Sequence, residues 1–356
     1  MNNHLLQIPA YLKKANFGVN NHGLLHGDSG IVLFLYHLSR ATKNTETEEM
    51  ADNLLDKIFA GISTTAPADF ENGLAGIGWG IEYLVQNGFA EGNTDDILEE
   101  VDTRVYKSIC DDNQPTLELT NGLIGYLVYL NARLKNTNNP ESMAQRINRE
   151  LLIHTVNKID EAAPSNFPNL VKEHYFDLYW RFPAMLFALA ETYQMGLYSH
   201  KIDLMLKQWV MYFNAYIPSL HINRLYLTLA LHRINRFMHN TEIEKQIRIL
   251  LFSVDCDEIT AEFDHQHNGI RFGVPGALWV VHQALQNLPQ QSVNFHKIGQ
   301  LYTKMKTGFM CNQNVMFQNS QIKKPDISDG LSGIGLMQLL WPEIFDVKIK
   351  TAKLRK

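Results

Sequence analysis

The chain has 356 residues, of which 45% are hydrophobic and 19% are charged, and its formal net charge is −5. This composition provides for a large buried core and lacks the basic surface that nucleic acid or an anionic membrane would need. The first residues, MNNHLLQIPAYLKK, do not resemble a secretory signal, and no run of about 18 apolar residues follows, so we expect no membrane span.

A pair of glycines three residues apart, followed by an apolar run, recurs along the chain. The first glycines lie about 50 residues apart, except for one gap about three times as long, which predicts two hidden copies. We interpret WRFPAMLFALA from Trp180, with Arg181 and Ala184 at the glycine positions, and NRLYLTLALHRI from Asn223 as these copies. The five intact pairs are Gly27 and Gly30, Gly73 and Gly76, Gly122 and Gly125, Gly273 and Gly276, and Gly330 and Gly333.

The segments between the glycine turns have a different character from the runs that follow them. TETEEMADNLLDKIFAGI from Thr45 places Met50, Leu54 and Ile58 on one stripe, whereas the run from Ile31 to Leu35 is apolar on all sides. This alternation predicts an all-α fold, an α/α toroid (a double-layered helical barrel) of about seven helical hairpins. Buried helices would form its inner ring and amphipathic helices its outer ring. We expect residues 1–356 to form a single domain.

Three structural details follow from this interpretation. The glycines would permit positive φ and close backbone approach at the start of each inner helix. Because each inner helix follows its turn, the helix N-termini would face one end of the toroid and favour an anionic or carbonyl-rich ligand there. Pro164 and Pro168 predict a long connection between Ile159 and Lys172.

The five glycine turns resemble those of the lanthionine synthetase C-like (LanC-like) family, and the resemblance covers nearly the whole chain. It implies an α/α toroid. Well-studied members are zinc enzymes of lantibiotic biosynthesis, which modify a peptide by adding a cysteine thiol across a dehydroalanine or dehydrobutyrine. The residues that carry the resemblance are GLLHGDSG at 23–30, ENGLAGIG at 71–78, ELTNGLIG at 118–125, GVPG at 273–276 and SDGLSGIG at 328–335.

The zinc ligands that the resemblance implies are two cysteines and a histidine, and this chain departs from them. A Cys-His pair would precede Gly273 in the sixth copy, but Arg271 and Phe272 stand there. The fifth copy would supply the other cysteine, and residues 222–226 contain none. Zinc chemistry needs three protein ligands and an open fourth position, so the implied cyclase activity lacks its metal site.

Two further positions of the family pattern also differ. Trp180 stands about where the fourth copy would carry an assisting histidine, and Glu118 replaces an aspartate before the third turn. We therefore predict a zinc-free or degenerate homologue, without a cofactor, that binds a peptide substrate or modified peptide in the toroid cavity. A peptide-modifying enzyme would be a second partner.

Three residues near the expected cavity mouth are candidates for contact with substrate. Glu118 could act as a general base or be an exposed loop acid. His26 could contact the ligand or shape its own turn through a backbone hydrogen bond. Asp329 precedes a glycine and could touch the ligand or cap its turn.

Trp180, Arg181 and Arg271 are the other substrate-binding candidates. Trp180 could stack on a peptide or sugar, or pack in the core. Arg181 and Arg271 should face the same end of the ring, where they could clamp a carboxylate or phosphate. They could equally form structural salt bridges with a loop acid such as Asp177 or Asp264.

Two alternative functions remain open. A cyclase with a displaced zinc site could use His265, His267 or a cysteine, with Glu262 and Asp264 nearby, although the two histidines could lie in a solvated polar loop. A glycan-processing toroid enzyme could draw a carboxylate pair from Glu118, Glu71, Asp264 and Asp329. The cysteines are widely spaced and odd in number, which predicts no disulfide framework and favours the cytoplasm. They are Cys110, Cys256 and Cys311.

Overall fold

The regular structure of the protein is helical. The computed structural model describes residues 3–14, 21–63, 65–112, 114–135, 139–214, 216–263, 269–290, 294–318 and 324–345, with the backbone alone at residues 3 and 311–318. No strand occurs in these ranges, and the all-α prediction is confirmed. Among these helices none is both long and apolar enough to cross a lipid bilayer.

The described part of the chain contains seven inner and seven outer helices that alternate in sequence. The inner helices are α2 (Asp28–Thr42), α4 (Leu74–Gln86), α7 (Leu123–Leu134), α9 (Arg181–Gln194), α11 (His221–Met238), α14 (Val274–Asn287) and α16 (Leu331–Leu340). The outer helices are α1 (Asn3–Lys14), α3 (Thr45–Gly61), α6 (Glu99–Asp111), α8 (Met143–Val171), α10 (Ser199–Phe213), α12 (Thr241–Ser253) and α15 (Phe295–Gln318). Two short helices, α5 (Thr94–Ile97) and α13 (Cys256–Ala261), lie in the connections.

The inner helices close into a ring. Each packs on the next in the order α2, α4, α7, α9, α11, α14, and α16 packs on α2. Trp279 of α14 meets Trp341, the C-cap of α16, with ring centroids 6.0 Å apart. In α2 every residue from Asp28 to Ser39 is buried, whereas α3 buries three residues. The two predicted layers, and with them the α/α toroid, are confirmed.

The glycine pairs allow the loop before each inner helix to fold back against it. The first glycine of each intact pair is the helix N-cap, with φ between −106° and −144°. The prediction of positive φ was therefore wrong, because this backbone is extended. Close approach is confirmed: a Cβ atom built on Gly76 would lie 2.1 Å from the carbonyl oxygen of Phe70, and one on Gly333 would lie 1.9 Å from that of Ile327.

Outer helix α8 runs through the segment that the prolines predicted to be a connection. The expectation for Ile159–Lys172 was wrong, since the helix extends to Val171. Its buried stripe continues through Ile159, Ala163, Phe167 and Leu170, while Pro164 and Pro168 lie on the exposed face. Water can bind the carbonyls that the prolines leave without a helical partner, so apolar burial outweighs the loss.

Candidate functional site

The turns that precede the inner helices are joined to one another by backbone hydrogen bonds. In every intact copy the residue that makes these bonds lies two positions before the first glycine. The bonds run from Leu178 N to Arg271 O (3.0 Å), Arg271 N to Ser328 O (3.1 Å), Ser328 N to Leu25 O (3.2 Å), Leu25 N to Glu71 O (2.9 Å) and Glu71 N to Thr120 O (3.0 Å). Six of the seven turns therefore lie at one end of the toroid, as predicted.

This bonding pattern corrects the alignment of the fourth copy. Leu178 occupies the bonded position, and Trp180 is the N-cap of α9, so Trp180 rather than Arg181 stands at the first glycine position. Pro183 rather than Ala184 then stands at the second. The fourth copy has no glycine to mark its register, and spacing alone placed it one residue too late.

The chain of bonded turns is open between the third and fourth copies. Its last carbonyl belongs to Thr120 and its first N–H to Leu178. In the fifth copy Pro218, two residues before the N-cap Leu220, has no N–H to contribute. A cavity of about 1040 Å³ lies in the opening, lined by the third turn, the second half of α8, the loop before α9, and Arg271.

Glu118 and Arg181 form a salt bridge on the wall of this cavity. The guanidinium of Arg181 donates from Nε to Glu118 Oε1 at 2.5 Å and from Nη1 to the carbonyl of Asn169 at 3.0 Å. Both side chains remain partly accessible, with 36% of Arg181 and 29% of Glu118 exposed. The pair therefore presents one donor and one acceptor group to anything that enters the cavity.

Arg271 lies deeper, at the ring. Its guanidinium binds the carboxylate of Asp177 through two hydrogen bonds of 3.0 Å and stacks on Tyr179 and Phe272, 4.6 and 4.4 Å from their ring centres. Burial lowers the pKa of Arg271, but the hydrogen bond and charge of Asp177 raise it above its ordinary value. The structural salt bridge with Asp177 that was one alternative for Arg271 is therefore present.

Trp180 lines the cavity at its edge but belongs to the core. It is 5% exposed, and its indole N–H donates to the carbonyl of Leu170 at 3.1 Å. In this arrangement its ring is held by α8 and offers little surface for stacking.

His26 and Asp329 lie on another part of the ring and do not line this cavity. His26 Nε2 is 3.1 Å from Glu71 Oε1, and its Nδ1 is 3.6 Å from Asp326 Oδ1. The Asp329 carboxylate binds Lys324 at 3.0 Å, and its backbone N–H donates to Asp326 at 2.7 Å. His26 therefore connects the first, second and seventh turns.

The pH dependence of stability should reveal the His26 contact. The nearby carboxylate of Asp326 raises the pKa of His26, against burial, which lowers it, and Glu71 raises it further. Its contribution to stability is then complete below the ordinary histidine pKa of about 6.5 and is lost as pH rises through the higher folded-state pKa. We expect His26→Gln to lower the melting temperature most near pH 6, with the difference from wild type shrinking toward about pH 9. A pH-independent difference would contradict this assignment.

The helix N-termini at this end are capped by backbone rather than left open. The N–H of Leu74 donates to Pro67 O at 2.9 Å, that of Leu123 to Thr116 O at 2.9 Å, and that of Leu331 to Lys324 O at 3.1 Å. The loops that the glycines fold back supply these carbonyls. The predicted ring of anion-binding N-termini was therefore wrong for these helices, because their first donors already have partners.

Comparison with known proteins supports the resemblance seen in the turns. Residues 18–177 match the family model of the lanthionine synthetase C-like protein. This stretch, which is a little under half of the chain, is similar to the LanC-like family. No curated protein matches the chain. The LanC-like match contains the first three glycine turns and ends at Asp177, just before the fourth turn, where the glycines are absent.

Two other glycine turns also have a carboxylate at the position of Glu118, but those carboxylates make different contacts. Asp69 and Asp326 lie four residues before the first glycine of their turns, and each accepts a backbone N–H of its own turn, at 2.8 Å from Asn72 and 2.7 Å from Asp329. Glu118 has the same position but reaches Arg181 instead. The recurrence of a carboxylate four residues before the first glycine is visible in the sequence. It would also have identified Asp326 as a candidate site residue, which the prediction missed.

The residues that stand where the resemblance implies zinc ligands do not fit zinc. Arg271 and Phe272 cannot act as ligands, and Arg271 is bound to Asp177. Burial raises the pKa of the Cys256 thiol to about 11, which disfavours the thiolate that a metal needs. Glu262 caps α11 by accepting the N–H groups of His221 and Ile222.

The displaced zinc site falls largely outside the described residues. His265, His267 and Asp264 all lie there, as does the side chain of Cys311. Among the side chains that are described, no group of three or more His, Cys, Asp or Glu residues is arranged to hold a metal ion.

Proposed function

We propose that this chain is a zinc-free LanC-like protein that binds a peptide in the cavity between its third and fourth turns. The observation that carries the proposal is the replacement of a zinc-binding pair by Arg271 and Phe272, with the Arg271 guanidinium bound to Asp177 on the cavity wall. A guanidinium is positively charged and has no lone pair to donate, so Arg271 cannot act as a metal ligand. It can hold the wall of a binding cavity in place.

The cavity suits a ligand with neutral polar groups. Arg181 and Arg271 are each bound to a carboxylate, and Lys158 donates to the carbonyls of Ile109 and Asp112. These cations therefore offer little net charge to a phosphate or a polyanion. A peptide backbone presents alternating amide donors and carbonyl acceptors, which match the partly exposed Glu118 and Arg181.

Two measurements test the proposal. After expression with added zinc, metal analysis should find far less than one equivalent in the purified protein. The protein should also retain members of a random decapeptide pool, identified by mass spectrometry. Glu118→Gln should weaken the best binder about tenfold, because it removes a charged acceptor from the cavity. Glu191→Gln, which disrupts an exposed salt bridge with Lys135, is the matched control and should not change binding.

The same measurements separate the alternatives. Stoichiometric zinc that is lost on replacing His265 and His267 would establish a metal site there and favour the displaced-metal cyclase. The glycan-processing alternative has less support, since of its candidate carboxylates Glu118 lines the cavity while Glu71 binds His26 and Asp329 binds Lys324. A peptide-modifying enzyme as second partner and a cytoplasmic location accompany the peptide-binding proposal.

A further inference from the structure

We propose that Tyr175 determines the specificity of the cavity and binds an aromatic side chain of the peptide. This inference rests on the proposed function and adds the class of residue that the peptide must carry. It follows from a series of packed groups that ends in an exposed tyrosine ring, and from the way in which the loop before α9 is anchored.

Four groups pack in series along the cavity wall. The Arg271 guanidinium packs on the rings of Tyr179 and Phe272, 4.6 and 4.4 Å from their centres. The Phe272 ring in turn meets the ring of Tyr175, with centroids 5.4 Å apart and an interplanar angle of 77°. Tyr175 lines the cavity and is 60% exposed. The series therefore ends in an aromatic ring with surface left for a further ring.

The backbone on both sides of Tyr175 is anchored. Glu173 accepts a hydrogen bond from the side-chain amide of Asn223, which also donates to the carbonyl of Tyr175 at 3.3 Å. Phe176 is buried, and Asp177 accepts two hydrogen bonds of 3.0 Å from the arginine of the ring. Because a tyrosine on a fixed backbone has few torsions left to order, a ligand that packs on its ring loses little binding free energy to conformational entropy.

An aromatic side chain fits this surface better than a cationic one. A cation can also pack on a tyrosine ring, but it must give up part of its hydration to do so. The two carboxylates of the anchored loop, Glu173 and Asp177, already accept hydrogen bonds from the protein and offer no free counter-charge. An aromatic ring has no charge to desolvate, and it gains both apolar burial and an edge-to-face contact.

The peptides retained from the decapeptide pool test the inference first. We expect phenylalanine, tyrosine and tryptophan to be enriched at one position relative to the unselected pool. Replacing the aromatic residue of the best binder with leucine should weaken binding about three- to tenfold, because leucine keeps apolar surface but loses the contact between rings. Isothermal titration calorimetry with the two synthetic peptides measures the difference.

Variants of the protein identify the ring that makes this contact. Tyr175→Leu should weaken the aromatic peptide by the same factor and leave the leucine peptide unchanged, whereas Tyr175→Phe should bind both like wild type. Tyr106→Leu is the matched control, since Tyr106 of outer helix α6 is 48% exposed and does not line the cavity. This control should bind both peptides like wild type.

The outcomes separate this inference from the proposed function. Retained peptides without an enriched aromatic residue, enrichment of lysine or arginine instead, or an equal loss of both peptides in Tyr175→Leu would overturn the inference and leave peptide binding intact. Failure of every peptide to bind, including the case in which an oligosaccharide binds through Tyr175, would overturn both proposals.

Discussion

Replacement of Arg133 by methionine should lower the free energy of unfolding by about 3–5 kcal/mol. The Arg133 side chain is fully buried and donates to Glu82 at 2.8 Å, Asp95 at 3.1 Å and Asp102 at 2.8 Å. Burial lowers the pKa of Arg133, but the hydrogen bond and charge of Asp102 outweigh it and raise the pKa above its ordinary value. Without the guanidinium, three carboxylates would remain close together with no cation among them. Urea denaturation followed by circular dichroism measures the loss.

An exposed salt bridge just beyond the end of α7 provides the control. Lys135, one residue after α7 ends, binds Glu191 at 2.8 Å, with 50% and 37% of the two side chains exposed. Solvent screening limits such a pair to less than about 1 kcal/mol, so Lys135→Met should change stability little. If Arg133→Met cost no more than Lys135→Met, the buried network would not be a stabilising element.

This buried network could not be predicted from the sequence. Glu82 lies at the end of α4, Asp95 in α5, Asp102 in α6 and Arg133 at the end of α7, so the network joins the second and third hairpins at the end away from the turns. None of these residues belongs to the repeated glycine motif. Their meeting depends on how the hairpins pack, which the repeat alone does not specify.

The toroid itself could be predicted because its physical basis recurs. Each glycine pair marks a loop that folds onto a buried helix, and five copies sharing one pattern indicate a common packing. Prediction failed where a single copy departs from the pattern. Trp180 and Pro183 replaced the glycines that mark the register, and the prolines of α8 suggested a loop although its apolar stripe continued.

The structure brings some of the candidate site residues together and separates others. Glu118, Trp180, Arg181 and Arg271 do line one cavity, while His26 and Asp329 lie elsewhere on the ring. The opening that forms the cavity depends on which turns exchange main-chain hydrogen bonds. Pro218 indicates from the sequence that the fifth turn cannot donate such a bond, whereas the absence of a bond between Thr120 and Leu178 depends on how the turns pack.

Two alanine substitutions in α4 should have opposite effects on stability. A Cβ atom at Gly76 would lie 2.1 Å from the carbonyl oxygen of Phe70 and 2.9 Å from Leu24 Cβ. A backbone carbonyl cannot move aside without shifting its loop, so Gly76→Ala should destabilise the protein by about 1–3 kcal/mol. At Gly80 the nearest atoms are 3.7 and 3.8 Å away. Gly80→Ala should stabilise by about 0.5–1 kcal/mol, because alanine restricts the unfolded chain.

Both glycines are buried in the same helix and receive the same methyl group, so the change in helix propensity is the same at the two positions. The difference in stability between the two variants therefore reports the contact between the helix and the loop that folds back on it. Urea denaturation of the two variants beside wild type measures both changes. Gly30, Gly125, Gly276 and Gly333 each face the carbonyl oxygen six residues earlier, 1.9–2.3 Å from a built Cβ, so the same loss is expected there. Stabilisation by alanine at Gly76 would mean that the loop does not press on the helix. The turns, and the cavity that their spacing leaves open, would then need another explanation.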